Sequence, residues 1–274
     1  MHRLLVLFLL ISGLSGHRVF AQDIRILSPY VGVLYNKEEP SHEGNTIVLS
    51  DAARMEGLFF QWIRPGAFQA NAFLYHASNI NYSTVWGGHM MGDAYFHGSR
   101  WGAFLLGGGS EFISINMDAD SNRMPVKGGG YTGFSDFEMR NTIVTPFLRT
   151  GYRFTPLSGR VKLAMTPWTG VQYEGVRGAI EVDFPAFQYP AHAGIRSNDW
   201  YALLGLGLNA TLFHFIDLEV KYHATFNAAS LYSTASAMTN IFLTRHIGLS
   251  YRYKYMEMYQ GSNIFNMGSV VFVL

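Results

Sequence analysis

Polar and apolar residues alternate strictly along Asp217–Asn227. The even positions are Leu218, Val220, Tyr222, Ala224 and Phe226; the odd ones are Asp217, Glu219, Lys221, His223, Thr225 and Asn227. A strand points successive side chains to opposite faces, so this pattern predicts a strand with one apolar and one wet face. About ten residues is also the length with which a tilted strand crosses a bilayer. The same rhythm sets Trp86, Met90, Ala94 and Phe96 against His89 and Asp93. It sets Trp200, Ala202, Leu204, Leu206 and Leu208 against Gly205, Gly207 and Asn209, and Tyr251, Tyr253 and Tyr255 against Arg252 and Lys254.

Read in order, the pattern predicts strands over Pro29–Tyr35, Met55–Ile63, Phe68–Tyr75, Val85–Phe96, Trp101–Asn116 (of ambiguous facing) and Arg140–Phe154. Six more follow over Val161–Tyr173, Asp199–Leu212, Asp217–Asn227, Ala237–Thr244, Ile247–Tyr255 and Ile264–Leu274. Pro146 and Pro167 fall inside two of them, where proline marks an edge or bulge. Short turns are expected at 64–67, 97–100, 156–159, 213–216 and 245–246, and long loops at 37–52, 118–137 and 174–198. Short turns alternating with longer connections are the asymmetry of a transmembrane β-barrel, with its turns in the periplasm. The expected fold is therefore all-β: an antiparallel up-and-down barrel of twelve strands, or ten if the first strand or 237–244 is not one, with both termini periplasmic.

The N-terminus changes what the rest must do. Arg3, the apolar run Leu4–Ile11 and Val19-Phe20-Ala21 have the layout of a signal peptide cleaved after Ala21. That leaves 22–274 as one barrel domain, in which no second long apolar run predicts a membrane helix. Hydrophobic residues are 49% of the chain and charged residues 14%, against about 25% charged in a typical soluble domain. A closed barrel in lipid holds that much apolar surface with every backbone group paired. Trp62, Trp86, Phe96, Trp101, Phe154, Tyr173, Trp200, Phe226 and Tyr255 fall at or near strand ends, as an aromatic girdle would. A soluble β-sandwich has no reason to place them there.

The last residues, Val270-Val271-Phe272-Val273-Leu274, close the chain on an alternating apolar strand. In this the chain resembles bacterial outer-membrane β-barrel proteins, which usually end on a terminal aromatic; here Phe272 stands two residues before the end. The resemblance is to the architecture. It implies an outer-membrane location, contact with outer-membrane lipid, and engagement of the barrel-assembly machinery through the C-terminal strand.

Chemistry is sparser. With no cysteine there are no disulfides or thiolate metal sites. Asp118-Ala-Asp120-Ser-Asn122 lacks the glycine and glutamate of a calcium loop and reads as solvated. Gly128–Gly130 is not followed by the Lys-Ser/Thr of a phosphate loop. No cofactor, metal or nucleic-acid partner is expected, and the net charge of +1 points to none. The wet faces of the strands predict an interior lined by Arg149, Arg153, Lys162, Lys221, Arg252, Lys254, Glu219, His223, His89 and Asp93. Fixed cations in a narrow pore favour anions, so passive passage of small solutes with a mild anion preference is the leading expectation. A structural or adhesive surface barrel is the alternative, and a barrel-embedded hydrolase the third reading. His89 and Asp93 lie four residues apart on one strand, about 13 Å, too far to act as a pair, and no catalytic residue is assigned. Pro185, Phe187, Tyr189 and Pro190 make the 174–198 loop apolar enough to plug a lumen or face a partner.

Overall fold

The computed structural model describes residues 23–274, apart from 39–40, 43–44, 47–48, 81–82, 100, 121–122, 127–129, 134–135, 184–190, 214 and 259–260. The expected signal peptide and residues 185–190, read from sequence as a plug or a partner-facing segment, lie outside the described residues, as does Asn122.

Among the described residues sixteen strands follow one another. They are β1 (Ile24–Glu38), β2 (Ser41–His42), β3 (Asn45–Thr46), β4 (Leu49–Arg64), β5 (Phe68–Ile80), β6 (Ser83–Ser99), β7 (Gly102–Asp120) and β8 (Arg123–Val126). Then come β9 (Gly130–Gly133), β10 (Asp136–Ser158), β11 (Val161–Asp183), β12 (Ala191–Leu212), β13 (Ile216–Phe226), β14 (Leu231–Phe242), β15 (Ile247–Met258) and β16 (Gly261–Val273). The pairs β2–β3 and β8–β9 are small separate hairpins; the other twelve strands form one closed antiparallel ring. The ring closes where β1 pairs with β16, from Ile26↔Val273 to Glu38↔Gly261. Twelve strands is the larger of the two expected counts. Both weak candidates are present: the first strand runs over Ile24–Glu38, and 237–242 of the second belongs to β14.

Five tight turns share one end of the barrel with the described chain termini, where the Leu274 amide donates to the Arg25 carbonyl at 2.9 Å. Arg64-Pro65-Gly66-Ala67 explains such a turn locally. Proline presets the first corner, Gly66 takes a φ of 74°, and the Ala67 amide closes onto the Arg64 carbonyl at 3.0 Å.

Strand length corrects the loops. β13, β14 and β15 have 11, 12 and 12 residues, close to the span a bilayer needs. β7 has 19, β10 and β11 have 23 each, and β12 has 22. The expected loop 174–198 is therefore mostly continued strand, whereas of 118–137 only 118–120 and 136–137 extend β7 and β10, Asp118 and Asp120 among them, with the small hairpin β8–β9 between. Tied by tight turns at one end, these four strands project their surplus at the other as a wall above the barrel rim. The sequence hides it because a strand beyond the lipid has no apolar face to keep, so its alternation fades. β14 likewise begins at Leu231, six residues before the expected Ala237.

Outward positions carry the lipid face. Val31, Met90, Leu148 and Leu204 are between 58% and 64% exposed, and they belong to a belt that also includes Leu58, Leu74, Leu106, Val171, Val220 and Leu249. Apolar surface on that scale is foreign to a soluble monomer. Aromatic side chains border it at both ends, with Phe96, Trp101 and Phe154 near the turn end and Trp86, Trp200 and Phe226 opposite. Ten residues separate Phe96 from Trp86, which at the usual strand rise and tilt is about 25 Å, the height of an outer-membrane apolar band. Pro146 and Pro167 sit on outward positions of this face.

Candidate functional site: a filled and charge-paired barrel interior

The inward positions divide into two halves. On β1, β4, β5, β6, β7 and β16 they form an apolar cluster of Tyr30, Leu34, Met55, Phe59, Phe73, Tyr75, Val85, Ile113, Phe265 and Met267. The rings meet edge-on or stacked: Tyr30–Phe73 at 6.0 Å, Phe73–Tyr75 at 5.6 Å, and Tyr75–Phe265 at 5.2 Å. Tyr75 and Phe265 belong to strands three apart around the ring, so their contact spans part of the lumen. Gly87 makes the room. A side chain there would run into the Tyr75 ring, as one at Gly205 would run into Trp168.

The other half is polar and paired. Arg149 on β10 reaches past β7 to Asp93 on β6. Its Nε donates to Oδ1 at 3.0 Å and its Nη2 to Oδ2 at 2.7 Å. Their side chains are only 5% and 12% exposed, and the guanidinium lies 5.1 Å over the Trp168 ring. Gly107 stands where a β-carbon would displace the Asp93 carboxylate. Lys221 holds Glu219 at 2.8 Å, and Asn209 Nδ2 donates to the other Glu219 oxygen at 2.9 Å. Lys254 on β15 holds Glu111 on β7 at 2.9 Å. These strands are six apart in either direction around the twelve-strand ring, so this ion pair crosses the full lumen.

The remaining sequence candidates fall around these pairs. Arg252 donates to the Tyr30 hydroxyl and lies 3.3 Å over the Phe59 ring, which ties the polar half to the apolar one. Arg153 donates to the Tyr95 hydroxyl at 3.3 Å. His89 Nε2 shares a hydrogen bond with Asn71 Oδ1 at 3.0 Å, while Asp93 is taken by Arg149, so His89 and Asp93 have separate partners. The His223 ring lies 5.5 Å from that of Trp168. Lys162 sits exposed at the turn end of β11.

Sequence reasoning missed Glu111, Tyr30 and Tyr95, and it left Asn71 and Asn209 out of the expected lining although Asn209 stands on the wet face of its strand. Glu111 matters most, since it answers Lys254 and removes part of the expected cation excess. Its facing is readable from Phe104, Leu106 and Phe112, which share one parity and leave Glu111 on the other. Charges in low dielectric are tolerated when paired and hydrogen-bonded, and the geometry here is that of mutual neutralisation. The hollows between the inward side chains include two small ones. One of about 40 Å³ is lined by Leu34, Tyr75, Val85, Ile113 and Met117; one of about 20 Å³ lies between Asp93, Arg149, Trp168 and Glu219. Each holds at most a few waters.

No family model and no curated protein matches this sequence. Solved structures do match in shape. The translocator domain of the autotransporter NalP from Neisseria meningitidis overlaps with a TM-score of 0.57 at 12% identity, over 99% of this chain and 94% of that one. The transport unit of the autotransporter AIDA-I from Escherichia coli overlaps at 0.49 with 9% identity, over 94% and 92%. The outer-membrane protease OmpT from Escherichia coli overlaps at 0.45 with 7% identity, over 95% and 99%. The first of these carries the comparison. With the closed ring and the outward apolar band, it makes the fold that of a bacterial outer-membrane β-barrel.

Proposed function

We propose that this chain works in the bacterial outer membrane as a closed, non-conducting surface barrel. It anchors and displays the wall built by β7, β10, β11 and β12. The observation that carries the reading is the Lys254–Glu111 pair, which spans opposite walls of the lumen beside the packed Tyr30, Phe59, Phe73, Tyr75 and Phe265 rings. A diffusion pore needs a continuous wet path, and rings of unpaired charge to select among ions. Here Arg149, Lys221 and Lys254 each hold a carboxylate.

Recording from refolded protein in planar bilayers tests this. The wild type is expected to insert and fold, as heat-modifiable migration on gels would report, without steady conductance. The double variant Glu111→Ala/Lys254→Ala removes the bridge and both of its long side chains, and is expected to leak ions. Steady wild-type conductance with anion selectivity that falls when Arg149, Arg153 and Arg252 are neutralised would replace this reading with passage of small anionic solutes.

A further inference from the structure

The projecting wall forces two arginines together. Arg177 on β11 and Arg196 on β12 are direct cross-strand partners, both exposed, both on outward positions. Like charges placed directly opposite one another destabilise a sheet. Among the described residues neither side chain has a hydrogen bond or ion pair. The carboxylate of Glu138, farther out on this face, is held by Arg140.

What lies below the pair indicates where it sits. Tyr173 and Trp200 are also direct partners on the same two strands, their rings 5.2 Å apart, with Trp200 68% exposed. The Tyr173 hydroxyl donates to Asn198 Oδ1 at 2.8 Å, which fixes the ring. These residues are part of the aromatic girdle at the far end of the lipid band, where such rings mark the boundary between acyl chains and headgroups. Arg177 and Arg196 stand four residues farther out on each strand. At the usual rise and tilt that is about 10 Å above the girdle, in the headgroup layer. Below the girdle, Val171 and Leu204 offer an exposed apolar track on the same two strands.

The geometry points to a lipid site: the paired guanidiniums of Arg177 and Arg196 bind the phosphate headgroup of an anionic membrane lipid, whose acyl chain descends past Trp200 along Val171 and Leu204. Arginine's planar fork matches phosphate oxygens two at a time. A phosphate between the two guanidiniums turns their repulsion into a shared attraction and accounts for two unpaired cations at this depth.

Native mass spectrometry of the folded barrel, released from mixed-lipid nanodiscs, tests the site. Phosphatidic acid is the anionic probe and phosphatidylcholine with the same acyl chains is the reference. The wild type is expected to retain phosphatidic acid preferentially. Arg177→Gln/Arg196→Gln is expected to lower that preference about tenfold or more, since each arginine near a membrane surface contributes roughly a factor of five. Arg54→Gln removes an exposed outward cation elsewhere on the barrel and is expected to leave the preference intact. Unchanged preference in the double variant overturns the site. An equal loss in Arg54→Gln overturns it too, by reducing it to general surface charge. Displacement of the lipid by millimolar inorganic phosphate would make it a free-phosphate site and overturn the lipid assignment.

Discussion

The two halves of the barrel interior solve one problem by opposite means. Around β1, β4, β5 and β16 the lumen is filled with rings and methionines, and its stability comes from excluded water and close packing. Around β10 to β15 it is filled with ion pairs whose members need one another. The apolar half tolerates a deletion in proportion to the volume lost. In the polar half, removing one partner leaves a charge with nothing to bind, and the cost is that of stranding it.

The largest effect expected from this contrast is at Arg149, the most buried interior cation among the ion pairs described. Arg149→Leu strands Asp93 beneath Trp168 and is expected to cost about 3–5 kcal/mol, measured as a fall in the urea midpoint of the folded barrel in detergent. The double variant Arg149→Leu/Asp93→Leu separates the explanations. If stranding is the cause, the second change restores most of the loss, because well-packed apolar replacements of a buried pair are often neutral. A double variant as unstable as the single one would mean that the shape of the pair, and not its charge, is what the site requires.

The apolar half gives the next effect. Met55 is fully buried among Tyr30, Phe59, Phe73 and their neighbours. Met55→Ala is expected to cost about 3 kcal/mol, the usual penalty for a large-to-small change in a core. No second substitution at a polar neighbour should restore it. If one did, the two halves would not differ in the way described.

The same contrast decides what can be read from the sequence. In the polar half the inward face is wet and the outward face apolar, so Asp217–Phe226 and Ile247–Tyr255 display a strand's period directly. In the apolar half both faces are apolar. Val31 and Leu34, one toward lipid and one toward the lumen, are indistinguishable by type, and the filling of the lumen leaves no mark in the pattern. Trp101–Asn116 is ambiguous for a related reason. Gly107, Gly108 and Gly109 have no side chain to assign a face, and even where parity gives the facing of Glu111, its partner Lys254 lies 143 residues away. Long-range ion pairs of that kind depend on ring closure, which no local window contains. The wall above the rim escapes the pattern because strand pairing continues there after the membrane's demand for an apolar face has ended.

The smallest expected effect lies outside both halves, at the turn end, where the ion pair is open to water. Arg64 Nε donates to Asp23 Oδ1 at 2.9 Å and its Nη2 to Asp23 Oδ2 at 3.0 Å, and the Arg64 guanidinium stands 5.3 Å over the Phe68 ring. The hydrogen bond from Arg64 lowers the Asp23 carboxyl below its ordinary value. A depressed carboxylate contributes stability above its unfolded pKa and loses it as pH falls through the folded one, so its contribution is present at neutral pH and disappears in acid below about pH 4. Solvent screening keeps such a pair weak. Asp23→Asn is therefore expected to shift the urea midpoint slightly at pH 7 and by less at pH 3. A shift of the same size at both values would mean that the amide loses a contact the carboxyl group makes in either charge state. A shift as large as that of Arg149→Leu would mean that pairing itself, and not the burial of the pair, sets the cost of breaking it.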